Sequence, residues 1–272
     1  MHPSFRTLEM SNPAYEQDGL RYITVKTPNL AGRGDVTVWL PAADLLGQGP
    51  LPLVILLHGV YGSHWSWALK GGAHRTAKRL IDEGRIHPML LAMPSDGLWG
   101  DGSGYLPHSG CNFERWIVDD VPQAVAAALP ANNARPFPDQ VFIAGLSMGG
   151  FGALRLGAIY PDRFSAVYGL SSITHVNQFP LFAEEPLQAY AQADPADESI
   201  LDVIVRNRSA LPPIRFDCGT DDLLIEHNRT LHRALTEQKI PHQYVEHSGG
   251  HEWPYWEEHL ADVLLFFNQY LT

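Results

Sequence analysis

The chain has 272 residues, 45% hydrophobic and 18% charged, which is enough apolar material for a sizeable core. Its formal charge of −11 excludes nucleic acid and anionic membrane surfaces as expected partners, because their phosphates would repel it. No apolar run approaches the length needed to span a bilayer.

In chain order, Leu20 to Thr27 and Asp35 to Leu40 are β-rich and separated by Asn29, Gly32 and Gly34, which predicts an antiparallel pair. Leu53 to Leu57 then reads as a buried strand ending at His58-Gly59, followed by a helix over Ala68 to Glu83. Met89 to Met93 is the next strand. Phe113 to Leu129 reads as a helix that Pro122 kinks or restarts. Gln140 to Ala144 is a strand, Met148 to Tyr160 a helix stopped by Pro161, and Phe164 to Leu170 another strand. Ile173 to Ser209 breaks the rhythm with prolines and acids; it reads as a small cap insertion over one end of the sheet, or as surface decoration. The alternation resumes with a strand over Ile214 to Cys218 and a helix over Glu226 to Glu237. A strand over His242 to His247 and a last helix near Pro254 to Tyr270 complete it. Strands alternating with helices predict an α/β fold with a mostly parallel central sheet and helices on both faces. No linker divides it, so residues 1–272 read as a single domain.

The opening residues, Met1-His2-Pro3-Ser4-Phe5-Arg6, lack the apolar stretch of a secretory signal. Two cysteines, Cys111 and Cys218, give neither a disulfide framework nor a zinc spacing. A cytoplasmic location is the resulting expectation.

The chemistry centres on Gly145-Leu146-Ser147-Met148-Gly149. Gly-x-Ser-x-Gly is a weak string by itself, but here a buried strand enters it and a helix rich in small residues leaves it. That context defines a strand-to-helix turn that lifts the serine hydroxyl above the sheet, as in the α/β-hydrolase fold. Ser147 is therefore the candidate nucleophile; the bland alternative is a serine that only caps the helix. A serine hydroxyl needs a base, and in this fold an acid and then a histidine follow the serine in the chain. Asp222, in Gly219-Thr220-Asp221-Asp222 just past a strand end, is the candidate acid, and Asp221 is read as a solvated turn residue. Of the six histidines after Asp222, His227, His232 and His259 fall within predicted helices, where exposure is expected. His242 and His247 stand at the ends of a strand. His251, in Ser248-Gly249-Gly250-His251-Glu252-Trp253, lies on the loop after the last strand and is the candidate base. His247 and His251 also suggest a metal pair, but two glycines oppose a helix there and no third ligand stands nearby. No metal or cofactor is expected.

The oxyanion of a tetrahedral intermediate needs donors, each worth about 3–4 kcal/mol. The backbone N–H groups of Met148 and Val60 are the candidates, the latter from the glycine-flanked loop His58-Gly59-Val60-Tyr61-Gly62. His58 precedes the serine and reads as a brace for that loop. Trp65, Trp99, Tyr105 and His108 lie on loops at the same end of the sheet and are candidates for an acyl or alcohol pocket; packing of the loops is the alternative.

Leu56-Leu57-His58-Gly59, Met93-Pro94-Ser95-Asp96-Gly97, Gly145 to Leu154, Cys218 to Asp222 and Gly249-Gly250-His251-Glu252-Trp253 together resemble the esterase D group of α/β-hydrolases. The likeness runs from about Leu51 to the C-terminus. It implies Ser147 as nucleophile, Asp222 as acid and His251 as base, the same three residues. Leu146 before the serine and His58 before the oxyanion-loop glycine depart from the S-formylglutathione hydrolase branch, which brings the chain nearer the tributyrin-type carboxylesterases. The expectation is a cofactor-free serine carboxylesterase acting on small, short-chain acyl esters, possible homo-oligomer formation being left open. A thioesterase, an acyltransferase and a non-catalytic binding module are the rival readings.

Overall fold

The computed structural model describes residues 5–46, 51–129 and 140–271. Met1 to Ser4, on which part of the N-terminal reading rests, lie outside the described residues. In chain order the first strands are β1 (Thr7–Met10), β2 (Leu20–Thr27) and β3 (Gly32–Trp39), then a short helix α1 (Ala43–Leu46) and β4 (Leu53–Leu57). Helices α2 (Ser66–Leu69) and α3 (Ala73–Asp82) precede β5 (Leu90–Pro94) and a small hairpin of β6 (Pro107–His108) and β7 (Cys111–Asn112). There follow α4 (Phe113–Arg115), α5 (Val121–Ala128), β8 (Val141–Leu146), α6 (Met148–Ile159), β9 (Ala166–Leu170) and α7 (Ile200–Arg206). The chain closes with β10 (Ile214–Gly219), α8 (Ile225–Glu237), β11 (Gln243–His247) and α9 (Trp253–Asn268).

One sheet has the order β1-β2-β3-β5-β4-β8-β9-β10-β11. β1, β2, β3 and β5 pair antiparallel in succession, and every pairing from β5 to β11 is parallel. The α/β expectation holds, with helices on both faces. Parallel strands buried on both sides read as unbroken apolar runs. β4 shows why: Leu53, Ile55 and Leu57 join the core under α5, α6 and the cap segment, whereas Val54 and Leu56 join the core under α2, α3 and α9.

Three features differ from expectation. The helix predicted over residues 68–83 is two helices, because Gly72 adopts φ 56° between them and Gly71 lies so close to the Trp253 ring that a Cβ would come within 2.8 Å. The helix over 113–129 contains a widened π turn, Trp116–Asp120, before α5 restarts with Pro122 in its first turn. Pro122 has no N–H to donate, so a restart there leaves no ladder bond unmade. The edge strand β1, Thr7-Leu8-Glu9-Met10, alternates polar and apolar residues over only four positions, too few to mark a strand, and was not expected.

The 173–209 segment forms three short 3-10 turns and α7. Tyr190 Oη donates to the Gly102 carbonyl at 3.0 Å and Arg155 Nε to the Asp197 carbonyl at 2.8 Å, which fasten it to the β5 loop and to α6. No helix among the described residues is long and apolar enough to cross a membrane.

Candidate active site

Ser147 sits between β8 and α6 at φ 55° and ψ −116°, a backbone state that crowds any side chain. The turn around it closes because its neighbours lack Cβ atoms. A Cβ on Gly145 would lie 2.2 Å from the Gly149 carbonyl oxygen, and one on Gly149 would lie 2.3 Å from the Leu57 carbonyl oxygen. Ser147 N–H donates to Leu170 O at 2.9 Å, and its own carbonyl accepts from Phe151 and Ile173. These contacts hold the strained residue in place. Gly149→Ala is expected to cost about 3 kcal/mol in urea unfolding, since the clash is with backbone that cannot yield without moving β4. A loss below about 1 kcal/mol would show that the elbow tolerates a side chain there.

Asp222 and His251 reach Ser147 because the parallel ladder between β10 and β11 continues into their loops. Thr220 N–H donates to His247 O at 2.8 Å, and Asp221 N–H donates to Gly249 O at 2.9 Å. The backbones approach so closely that a Cβ on Gly219 would lie 2.2 Å from the Gly249 oxygen. His251 Nδ1 then lies 2.9 Å from Asp222 Oδ2 and 3.1 Å from Oδ1. A carboxylate only accepts, so Nδ1 carries the proton and Nε2 is free to accept from the Ser147 hydroxyl at 2.9 Å. Asp222 is 2% exposed and its Oδ1 also accepts from Leu224 N–H at 2.8 Å, whereas Asp221 faces solvent. Phe182 stacks on the His251 ring at 5.0 Å and Trp256 meets it edge-on at 5.0 Å, which limits its rotation.

The oxyanion loop is braced from behind by His58. Its Nε2 accepts from Asp96 N–H at 3.0 Å, so the proton sits on Nδ1, which donates to Gly59 O at 2.7 Å. Gly59 O and Val60 N–H belong to one peptide unit, so this bond sets the direction of the Val60 donor. Met148 N–H is the first of α6 and has no carbonyl within the helix to bind.

A cavity of about 450 Å³ opens beside Ser147, walled by Tyr61, Trp65, Phe182, Trp253 and Trp256, with Leu146 at its floor and Lys70 at its edge. Trp65 is placed as the sequence suggested. Trp99, Tyr105 and His108 are not in its lining, and this corrects the expectation for them. Tyr105 is fully buried and donates to the His58 carbonyl at 2.9 Å. Trp99 packs on His108 at 4.3 Å and on Tyr190 at 5.7 Å, and His108 reaches the Ser103 carbonyl at 2.8 Å. Trp99 and His108 pack on Tyr190 and so seat the cap on the β5 loop, while Tyr105 supports the oxyanion loop from beneath. The rings that replace them, Trp253 and Trp256, stand three apart at the start of α9, a helical spacing visible just after His251. Phe182 carried no such signal. A larger cavity of about 540 Å³ against α1 and α3 contains none of this machinery.

Behind the base, Asp217 of β10 is completely buried and accepts from Tyr168 Oη at 2.7 Å and Tyr255 Oη at 2.8 Å. Tyr255 in turn packs on Gly249, at φ 133° in the loop that carries His251. Burial pushes the Asp217 carboxyl up to about 6, against the pull of the two hydroxyls, His259 and Arg215. Native Asp217 thus keeps its proton to higher pH than the unfolded chain does. Its contribution to stability is full below the ordinary carboxylate range and is lost as pH rises through about 6, a difference of about 3 kcal/mol. Asp217→Asn is neutral throughout. The gap in unfolding free energy is therefore expected to move by about 3 kcal/mol in the variant's favour between about pH 3 and about pH 8. A gap independent of pH would show that Asp217 titrates normally.

The architecture is that of the α/β-hydrolases, with a serine, a histidine and an aspartate joined by hydrogen bonds at the ends of β8, β10 and β11. The family model described as "Putative esterase" matches residues 28–267, and the chain belongs to this Esterase family of carboxylic ester hydrolases. An acetyl esterase of Caldicellulosiruptor saccharolyticus is 26% identical over 231 residues, covering 78% of this chain and 82% of that one. Among solved structures, a ferulic acid esterase superimposes with a TM-score of 0.79 at 23% identity, covering 98% of this chain and 100% of the other. The S-formylglutathione hydrolase FrmB of Staphylococcus aureus gives 0.76 at 18% identity, over 95% and 99% of the two chains. The two structural likenesses establish the fold.

Proposed function

We propose that this chain hydrolyses small, short-chain acyl esters through an acyl-enzyme formed on Ser147. The observation that carries the reading is the Ser147–His251–Asp222 relay, with 2.9 Å at each junction. His251 takes the proton of Ser147 as the hydroxyl attacks the acyl carbon, and returns it to the leaving alcohol. Asp222 fixes the imidazole tautomer and stabilises its charged form. The N–H groups of Val60 and Met148 receive the oxyanion, and water, deprotonated by His251, releases the acid. The acetyl esterase relative supports the short acyl chain. A cytoplasmic location belongs to the same proposal and is supported by two cysteines that remain free thiols.

The test is a panel of p-nitrophenyl esters of increasing chain length, with a fluorophosphonate probe to mark the nucleophile. Highest kcat/KM on acetate to butyrate, with labelling at Ser147 alone, is the expected result; labelling elsewhere refutes the mechanism. The cavity's five aromatic walls favour a second reading, an ester with an aromatic acid or alcohol, as in the ferulic acid esterase neighbour. A methyl ferulate kcat/KM above that of the short esters would select it. Thioester hydrolysis and acyl transfer employ the same groups, and a matched ester–thioester pair and product partitioning to added alcohol separate them.

A further inference from the structure

β11 ends at His247, where it delivers the chain to the loop carrying His251. The helix that follows that loop, α9, bears His259 and Asp262 one turn apart. One nitrogen of each histidine and one carboxylate oxygen lie within 4.8 Å of one another. His259 was expected to be exposed, but it is buried, with Nδ1 3.1 Å from Asp262 Oδ2. The His247 and His259 rings lie 4.0 Å apart at an angle of 18°. His247 Nε2 is shielded from solvent and has no hydrogen-bond partner among the described residues. A buried polar atom left in this way is an anomaly that asks for a ligand.

We propose that His247, His259 and Asp262 form a site for one divalent transition-metal ion, zinc being the best fit. Two imidazoles, a carboxylate and no thiolate make a borderline donor set suited to zinc. Bonds of about 2.1 Å in tetrahedral geometry place donors about 3.4 Å apart, so no pair needs to close by more than about 1.4 Å. A metal lies in the plane of each ring it binds, and the stacked rings therefore splay as their nitrogens converge. The Asp262 side chain, 37% exposed, marks the way in and leaves a fourth position to water. None of the three residues lines the Ser147 cavity. The ion touches no substrate; it joins the residue before the catalytic loop to the helix after it, as a staple across the loop's two ends.

The full chain, freed of metal with EDTA, is titrated with Zn²⁺ by calorimetry and with Co²⁺ by visible absorption, using His251→Ala as a background that disables binding at the triad. One ion per chain, tetrahedral Co²⁺ bands and a Tm rise of about 5 °C at about 100-fold excess over Kd are expected. Asp262→Asn, at a half-exposed position that should not disturb folding, and His259→Gln should each weaken binding by about tenfold or more. Absence of Zn²⁺ binding at about 100 μM overturns the proposal, since a three-ligand site binds far more tightly. Binding that persists undiminished in both variants, or that vanishes with His251→Ala alone, overturns it too. None of these readouts depends on esterase turnover.

Discussion

Ser147→Ala is expected to lower kcat by about a million-fold while leaving the unfolding midpoint within about 1 °C of wild type. The alanine keeps the Cβ and the strained backbone, so the fold sees almost no change. The chemistry loses the only atom that forms the acyl bond. Residual turnover of about 10³–10⁴ over water should persist, because the Val60 and Met148 donors still receive the developing oxyanion. Steady-state assay of p-nitrophenyl acetate measures the loss of kcat and the residual rate, and thermal unfolding measures the midpoint. A variant retaining a hundredth of wild-type kcat would remove Ser147 from the mechanism. Ser147→Gly would be equally inactive, yet about 1 kcal/mol more stable, because glycine occupies φ 55° without a Cβ clash.

The second large effect separates two adjacent aspartates. Asp222→Asn is expected to reduce kcat by about 10⁴, because the amide presents N–H to His251 Nδ1 and turns the imidazole proton towards Ser147, the wrong tautomer for a base. Asp221→Asn should stay within about twofold of wild type: Asp221 is exposed and its contribution to the loop is a backbone N–H, which asparagine retains. The two kcat values, taken with circular dichroism to confirm folding, are the measurement. Equal losses, or a larger loss at Asp221, would reverse the assignment of the acid.

Much of the fold was legible because parallel strands have no exposed face to encode. Leu53–Leu57 is buried at all five positions, and the stretch through Ala144 behaves in the same way, so unbroken apolar runs marked the sheet. Ser147, Asp222 and His251 were legible because each stands on the turn that follows a strand, although only Ser147 follows an unbroken apolar run; β10 carries Arg215 and Asp217, and β11 is polar at three of its five positions. What stayed hidden depends on direction rather than position. Trp99, Tyr105 and His108 lie on loops at the correct end of the sheet, but spacing does not say which way a loop side chain turns, and the buried partners that draw them inward are distant in sequence. His259 was misjudged for a related reason. Its helix is apolar on the face towards the sheet, and the ring that shelters it, His247, comes from another element. The break between α2 and α3 depends on Trp253, nearly two hundred residues downstream.

That break has a bearing on how such chains recombine. Gly71 has no side chain because the Trp253 ring fills the space where one would be, with its nearest carbon 2.8 Å from the position of a Cβ. Trp67 meets the same ring edge-on at 5.7 Å, and Lys70 lies over it at 5.2 Å. The segment after the oxyanion loop and the segment after the base are thus cut to one another's shape. A chimera whose crossover falls between them inherits one half of that fit from each parent. It should lose stability unless both parents carry a glycine and a tryptophan at these two positions. Exchanges that keep residues 66–72 and 253–256 from the same parent should be the ones that survive.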